Sequence, residues 1–325
     1  MKKKKRYNKT KSLMGRVRAV FFCVLILISS IVITNRYTQS GLEKTKVVQA
    51  SSEIKQENRS ENLINMVYES SSNNSVLDMN SKNNNIKKEN DGEVINSVDQ
   101  DSNSFDSEKI QNFLTKNIRI EDNKKIAFLT FDDGPSTTVT PKILNTLKEN
   151  NVKATFFIVG KQLEETPEAK NILLETYKQG HVIANHTYSH NYSKLYPHGR
   201  VDVNDFMAEV EQNNNILKSV LGENFRSRVI RFPGGHASWK GVAEIDKKLE
   251  DKSYKYIDWN ALIGDSEGGP KTKEQLIKRY HQTFVGQEKV VLLMHDTYGK
   301  QSTAEALPYI ISDLKNKGYE FRTLR

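Results

Sequence analysis

Apolar and polar positions divide this chain into stretches of different character. From Lys124 to the end, compact apolar runs alternate with stretches whose apolar residues recur every three or four positions. The first pattern predicts strands over residues 126–131, 154–159, 182–185, 229–232, 254–259, 289–294 and 319–323. The second predicts helices over residues 140–150, 167–179, 203–221, 241–250, 273–283 and 304–317. Such alternation argues for an α/β domain over residues 124–325, built on a parallel sheet, open or closed. Polar strings sit at the carboxyl ends of the first, third, fourth and sixth of these strands, where α/β barrels place their sites. The Asn213-Asn214-Asn215 triplet reads as the polar face of its helix.

Residues 36–123 lack any sustained apolar periodicity and are dominated by Ser, Asn, Lys, Glu and Asp, as in Ser70-Ser71-Ser72-Asn73-Asn74. A segment that buries so little cannot offset its ordering entropy, which predicts a disordered tether with a short helix near residues 108–115. Flexible throughout, a stalk of roughly 85 residues would reach on the order of 50 Å. Ahead of it, the apolar run at 19–33 would span about 22 Å as a helix, short of the ~30 Å hydrocarbon core. Flanking Arg16, Arg18 and Arg36 can cover that deficit by snorkelling. The expectation is a basic cytoplasmic tail over 1–18, a transmembrane signal anchor over 19–35, and a single-pass cell-membrane protein whose remainder is extracellular. Cleavage after Val48-Gln49-Ala50 is the rival reading, but that string lies about fifteen residues past the apolar run, whereas processing sites normally follow closely.

Charge changes this picture only by exclusion. A formal net charge of +9 suggests a nucleic-acid partner, yet nine basic residues precede Ala19 and the remainder carries 40 basic against 40 acidic residues. A neutral remainder has no footprint for a phosphate backbone, so no nucleic acid is expected. Cys23, the only cysteine, lies in the apolar run, which removes cysteine hydrolases and thiolate metal sites.

The candidate chemistry begins with Thr130-Phe131-Asp132-Asp133-Gly134-Pro135 and His186-Thr187-Tyr188-Ser189-His190. One acid and two histidines four apart can offer a divalent metal one carboxylate oxygen and two imidazole nitrogens, leaving a position for water and substrate. Side chains alternate along a strand, so Asp132 and Asp133 point apart unless the Gly134-Pro135 turn re-aims them; one can then bind metal while the other works as a base. Together with Arg231-Phe232-Pro233-Gly234-Gly235 and Leu293-Met294-His295, in this order, these strings resemble the motif series of the polysaccharide deacetylases, the NodB-homology or carbohydrate esterase family 4 enzymes. The resemblance covers residues 124–325.

It implies a distorted, incomplete (β/α) barrel of about seven parallel strands, and metal-dependent hydrolysis of N-acetyl groups on a glycan. It implies Asp133, His186 and His190 as ligands for Zn²⁺, with Co²⁺, Ni²⁺ or Fe²⁺ able to take the same donors. Both rings share one face if the chain turns helically after the third strand. Asp132 matches the catalytic base, Arg231 the arginine that holds it, and His295 the general acid. The backbone N–H of Gly234 matches an oxyanion donor at a position where many relatives carry tyrosine, and Leu293 matches a residue lining the acetyl-methyl pocket. For the acid that orients the histidine and the tryptophan that lines the groove, Asp258-Trp259 supplies both, while Gly264-Asp265-Ser266 fits the acid by register. Asp265 is therefore the expected partner of His295, and Trp259 a nearby wall. His181, His198, His236 and His281 match no motif. An anchored, tethered site faces a cell wall, so peptidoglycan N-acetylglucosamine is the expected substrate. Muramic acid, poly-N-acetylglucosamine, chitooligosaccharide and acetylxylan are the alternatives, as is a catalytically inactive glycan-binding protein.

Overall fold

The computed structural model describes residues 103–325. The expected basic tail, the anchor and the tether as far as residue 102 lie outside the described residues, among which no helix is long and apolar enough to cross a membrane. The tether expected to run to Asn123 is shortened, because the folded domain begins with β1 (Ser104–Phe105) and α1 (Ser107–Lys116). Asp106 caps α1 by accepting the Glu108 N–H, and Ile110 is fully buried by it.

The chain continues through β2 (Ile126–Asp132), α2 (Thr140–Glu149), β3 (Thr155–Ile158), α3 (Gly160–Glu165), α4 (Pro167–Lys178) and β4 (Val182–Asn185). Next come the short α5 (Tyr192–Leu195), α6 (Val203–Leu221), β5 (Val229–Ile230), α7 (Val242–Asp251), β6 (Lys255–Tyr256) and β7 (Ala261–Leu262). The last elements are α8 (Lys273–Thr283), β8 (Lys289–His295), α9 (Gln301–Asn316), β9 (Glu320–Phe321) and β10 (Thr323–Leu324). Seven parallel strands run in the order β6-β5-β4-β3-β2-β8-β7, with β9 paired to the start of β2. The sheet curls into an incomplete α/β barrel whose edges are β6 and β7.

Strand parity explains both the core and the site. Ile126 and Phe128 of β2, Phe157 of β3, Ala184 of β4, Val229 of β5 and Val291 of β8 share one cluster, on the inner side of the sheet. Their neighbours Ala127, Leu129, Phe131, Phe156, Ile158, Ile183, Val290, Leu292 and Met294 pack in another, with the helices. Both faces are thus buried, which is why these strands are apolar without a gap. Ile110, Phe105 and Leu324 complete the inner cluster from the strand-start end, so α1 and the β1–β10 pair plug the barrel there.

The single strand expected over 254–259 is two strands joined by a crossing. Ile257 N donates to Ile230 O, still following β5, whereas Asn260 N donates to Val291 O of β8. The chain itself closes the barrel between the two edges. Asn260 secures the arrival, its side chain accepting from Val291 N and donating to Lys289 O.

Candidate metal centre and active site

Extending the inward parity to the carboxyl ends of the strands delivers Thr130 and Asp132 from β2, His186 after β4, Arg231 after β5, and Leu293 and His295 from β8. All six are buried. Arg231, fully buried at 0% exposure, links them: Nη1 donates to Asp132 Oδ1 and Thr130 Oγ1, both at 2.8 Å. Its Nε and Nη2 donate to the carbonyls of Ile257 and Asp258, in the crossing segment. The guanidinium lies over the Phe157 ring, 4.1 Å from its centroid, so its charge is satisfied on every side. Asp132 is thereby held with Oδ2 turned towards the histidines, 3.7 Å from His186 Nε2.

Asp133 leaves the strand in the left-handed region, φ 70°, and this turn brings it beside Asp132. Its Oδ1 is 3.4 Å from His186 Nε2 and 3.3 Å from His190 Nε2. The next residue has to be glycine: a Cβ on Gly134 would lie 2.3 Å from the Asp296 carboxylate. Asp296 is completely buried, accepts from Thr140 Oγ1 at 2.6 Å and, through burial and the charges of Asp133 and Asp132, is pushed up to about 7.

The two histidines do not share a face through a helix, as their spacing suggested. Residues 186–191 form an irregular loop in which Thr187 (φ 63°) and His190 (φ 55°) are both left-handed. A β-branched residue there is strained, and buried polar groups hold it. Asn185 Oδ1 accepts from Thr187 N at 2.8 Å and Asn213 Nδ2 donates to Thr187 O at 2.9 Å. Glu209 accepts from Ser189 N and Oγ and from Lys194 Nζ. Asn213, Asn214 and Glu209 were missed as supports because the asparagine triplet read as a polar face. The signal was present: 206, 210, 213, 214, 217 and 221 fall on one helical stripe, and every one of these residues is buried.

Asp133, His186 and His190 meet the requirements of a divalent cation. Three donors about 2.0–2.1 Å from a tetrahedral ion stand roughly 3.3 Å apart, close to the separations around Asp133 Oδ1. That oxygen is buried and has no hydrogen-bond partner, and one donor atom from each of the three residues lies within 4.8 Å of the others. His186 Nδ1 donates to Arg231 O at 2.8 Å, which fixes the tautomer with the Nε2 lone pair facing Asp133. Burial and the neighbouring His186 lower the pKa of His190, favouring the neutral ring that a metal needs. Burial alone would raise Asp133, but the close approach of His186 and the pull of His190 and His295 hold it well below the usual carboxylate range.

Across the cleft, His295 Nε2 is 4.0 Å from Asp133 Oδ2, while Nδ1 is 2.8 Å from Asp265 Oδ1. Asp265 Oδ2 also accepts from His295 N and Thr303 Oγ1. Burial would lower His295; the bond to Asp265 and the charges of Asp265, Asp133 and Asp132 outweigh it and raise it to about 9. Asp258 does not reach His295 and instead accepts from His236 N at 3.0 Å. Trp259 packs closely on the Gly235 backbone, beside the exposed Gly234. Leu293 lies between Val291 and His295 on the same strand face. His236 pairs with Asp246 and stacks on Tyr256, so it belongs to the packing around α7.

A family profile for polysaccharide deacetylases matches residues 119–252. Over 208 residues the chain is 36% identical to a peptidoglycan-N-acetylglucosamine deacetylase of Bacillus cereus, covering 62% of this chain and 68% of that protein. A Streptococcus mutans CE4 esterase superposes with a TM-score of 0.64 at 36% identity, covering 70% of this chain and 94% of that one. The catalytic domain of a peptidoglycan N-acetylglucosamine deacetylase from Eubacterium rectale does so with a TM-score of 0.55 at 31% identity, covering 63% and 91%. The parallel half-barrel, the Asp–His–His cluster at its mouth and these likenesses agree: the chain belongs to the polysaccharide deacetylases of carbohydrate esterase family 4, hydrolases that act on carbon–nitrogen bonds.

Proposed function

We propose that the protein removes N-acetyl groups from peptidoglycan N-acetylglucosamine, using Zn²⁺ held by Asp133, His186 and His190. The observation that carries the chemistry is the opposition of Asp132, fixed by Arg231, and His295, fixed by Asp265, across one donor cluster. A carboxyl group aimed at the cluster from one side and a histidine held protonated on the other are what an acid–base pair needs. A cation at the cluster would polarise the acetyl carbonyl and acidify water; Co²⁺, Ni²⁺ or Fe²⁺ would suit the same donors. Asp132 Oδ2 accepts the proton of the attacking water as its oxygen bonds to the acetyl carbon. In this reading the Gly234 N–H receives the carbonyl oxygen as it turns negative, and Leu293 faces the methyl group. His295 then donates its Nε2 proton to the departing nitrogen as the C–N bond breaks, which leaves acetate and a free amine.

Peptidoglycan is supported by the substrates named for the Bacillus cereus and Eubacterium rectale relatives. It is supported too by the apolar run 19–33 and the polar stretch behind it, which read as an anchor and tether presenting the domain outside the membrane. The test is acetate release by the purified protein from peptidoglycan, chitooligosaccharide and acetylxylan, before and after chelation. Release is expected from peptidoglycan, restored by Zn²⁺ after chelation, and reduced at least ~10²-fold in Asp132→Asn, the lower range for lost base catalysis. Glycan binding without acetate release from any substrate would instead assign an inactive binding protein.

A further inference from the structure

Gly234 is exposed at the rim of the cleft and brings no side chain to it. Two aromatic residues from other segments converge on the space its side chain would fill. A Cβ there would meet Tyr192 Oη and Trp239 Cζ2, both at 3.1 Å. Tyr192 opens α5, two residues after the second histidine of the metal cluster, and its ring centroid is 5.2 Å from that of His190. Trp239 reaches back from beyond the Arg231–Gly235 turn, to whose Pro233 carbonyl its Nε1 donates at 2.9 Å.

Behind this pair the packing is rigid. Trp239 stacks on Tyr196 at 3.8 Å and 11°, Tyr196 contacts Phe206, and Phe206 stacks on Phe232 at 4.4 Å. Tyr192 meets the Trp239 edge at 5.3 Å, yet remains 45% exposed. It is therefore backed by a fixed aromatic wall and open in front, within one ring contact of a metal-binding histidine. An aromatic face and a hydroxyl beside the substrate-facing turn are chemistry suited to a polyol.

We propose that Tyr192, braced by Trp239, takes the place of a side chain at position 234 and is the specificity-determining contact for the pyranose that carries the acetamide, stacking on its C–H face and donating Oη–H to a ring hydroxyl. This inference rests on the deacetylase reading but concerns sugar recognition alone.

The test compares wild type, Tyr192→Ala and Tyr192→Phe on N-acetylchitotetraose and on 4-nitrophenyl acetate, which has no sugar. Binding of the tetrasaccharide is measured separately in the Asp132→Asn background with and without Tyr192→Ala. Tyr192→Ala is expected to raise KM and weaken tetrasaccharide binding about tenfold, equivalent to ~1.4 kcal/mol. Activity on the aryl ester should stay within about twofold and bound metal should be unchanged, while Tyr192→Phe, which keeps the ring, should fall between. Equal losses on both substrates, or loss of metal, would show that Tyr192 merely supports His190. Unchanged tetrasaccharide binding would overturn the proposal outright. Binding that weakens as expected in a protein that never releases acetate would leave Tyr192 in its role and refute the deacetylase reading instead.

Discussion

At the scale of single residues, the site depends on two buried charge pairs with opposite tasks. Arg231 holds and aims Asp132, and Asp265 keeps His295 protonated. The second has a measurable pH signature. Because His295 is raised to about 9 in the folded protein, its contribution to stability is fully present below its unfolded value near 6.5 and is lost as pH rises through about 9. In metal-free protein, the melting temperature should therefore fall between about pH 6.5 and 9.5, and Asp265→Asn should flatten that fall while moving the His295 titration, followed by NMR, to lower pH. An unchanged His295 titration in the variant would show that Asp265 does not hold the proton. Asp132, His186, Arg231 and His295 were legible through the motif strings that resemble a known family, and in the structure each continues the inward alternation of its strand. The conformation of Asp133 was not legible, since a left-handed residue after a strand leaves no mark in composition, nor was Asp296, whose role comes from its contact with the Gly134 backbone.

Among the elements, the long ones were legible and the short ones were not. Helix α6 falls on the expected 203–221, because its stripe of buried positions runs for several turns. Helices α3 and α5, of six and four residues, and the two-residue β7 are too short for periodicity and are fixed by tertiary contacts. The short helix expected near 108–115 is present as α1, and the largest revision is that it belongs to the folded domain and not to the tether. Ile110 fills the strand-start end of the barrel, and the loop after α1 supplies Asp122, which pairs at 2.7 Å with the buried Lys289 that opens β8. A domain cut at Lys124 would thus expose the inner core and leave a buried ammonium without its partner. Vacating the Ile110 site alone costs about 2–5 kcal/mol, and the Lys289 ammonium loses its charged partner besides. A fragment over 124–325 should therefore be unfolded or aggregated where one over 103–325 melts cooperatively, as circular dichroism will show. Equal melting of the two fragments would make α1 an ornament.

For the whole molecule, the expected anchor makes a topological prediction. Protease added to intact cells should release residues 103–325 as a resistant core while the basic amino terminus stays protected; a soluble secreted form beginning near Ser51 would replace anchoring by cleavage. The plug described above adds a mechanical consequence. Thr323 N donates to Asn103 O and Ser107 N to Arg325 O, so the chain joins the domain beside residues 323–325, at the end of the barrel away from the metal cluster. Were the expected anchor to hold the chain at a membrane, its pull would reach the domain at that closed end and leave the open cleft facing outward. The enzyme would then meet its polymer head-on, like a moored boat turning its bow away from the mooring line.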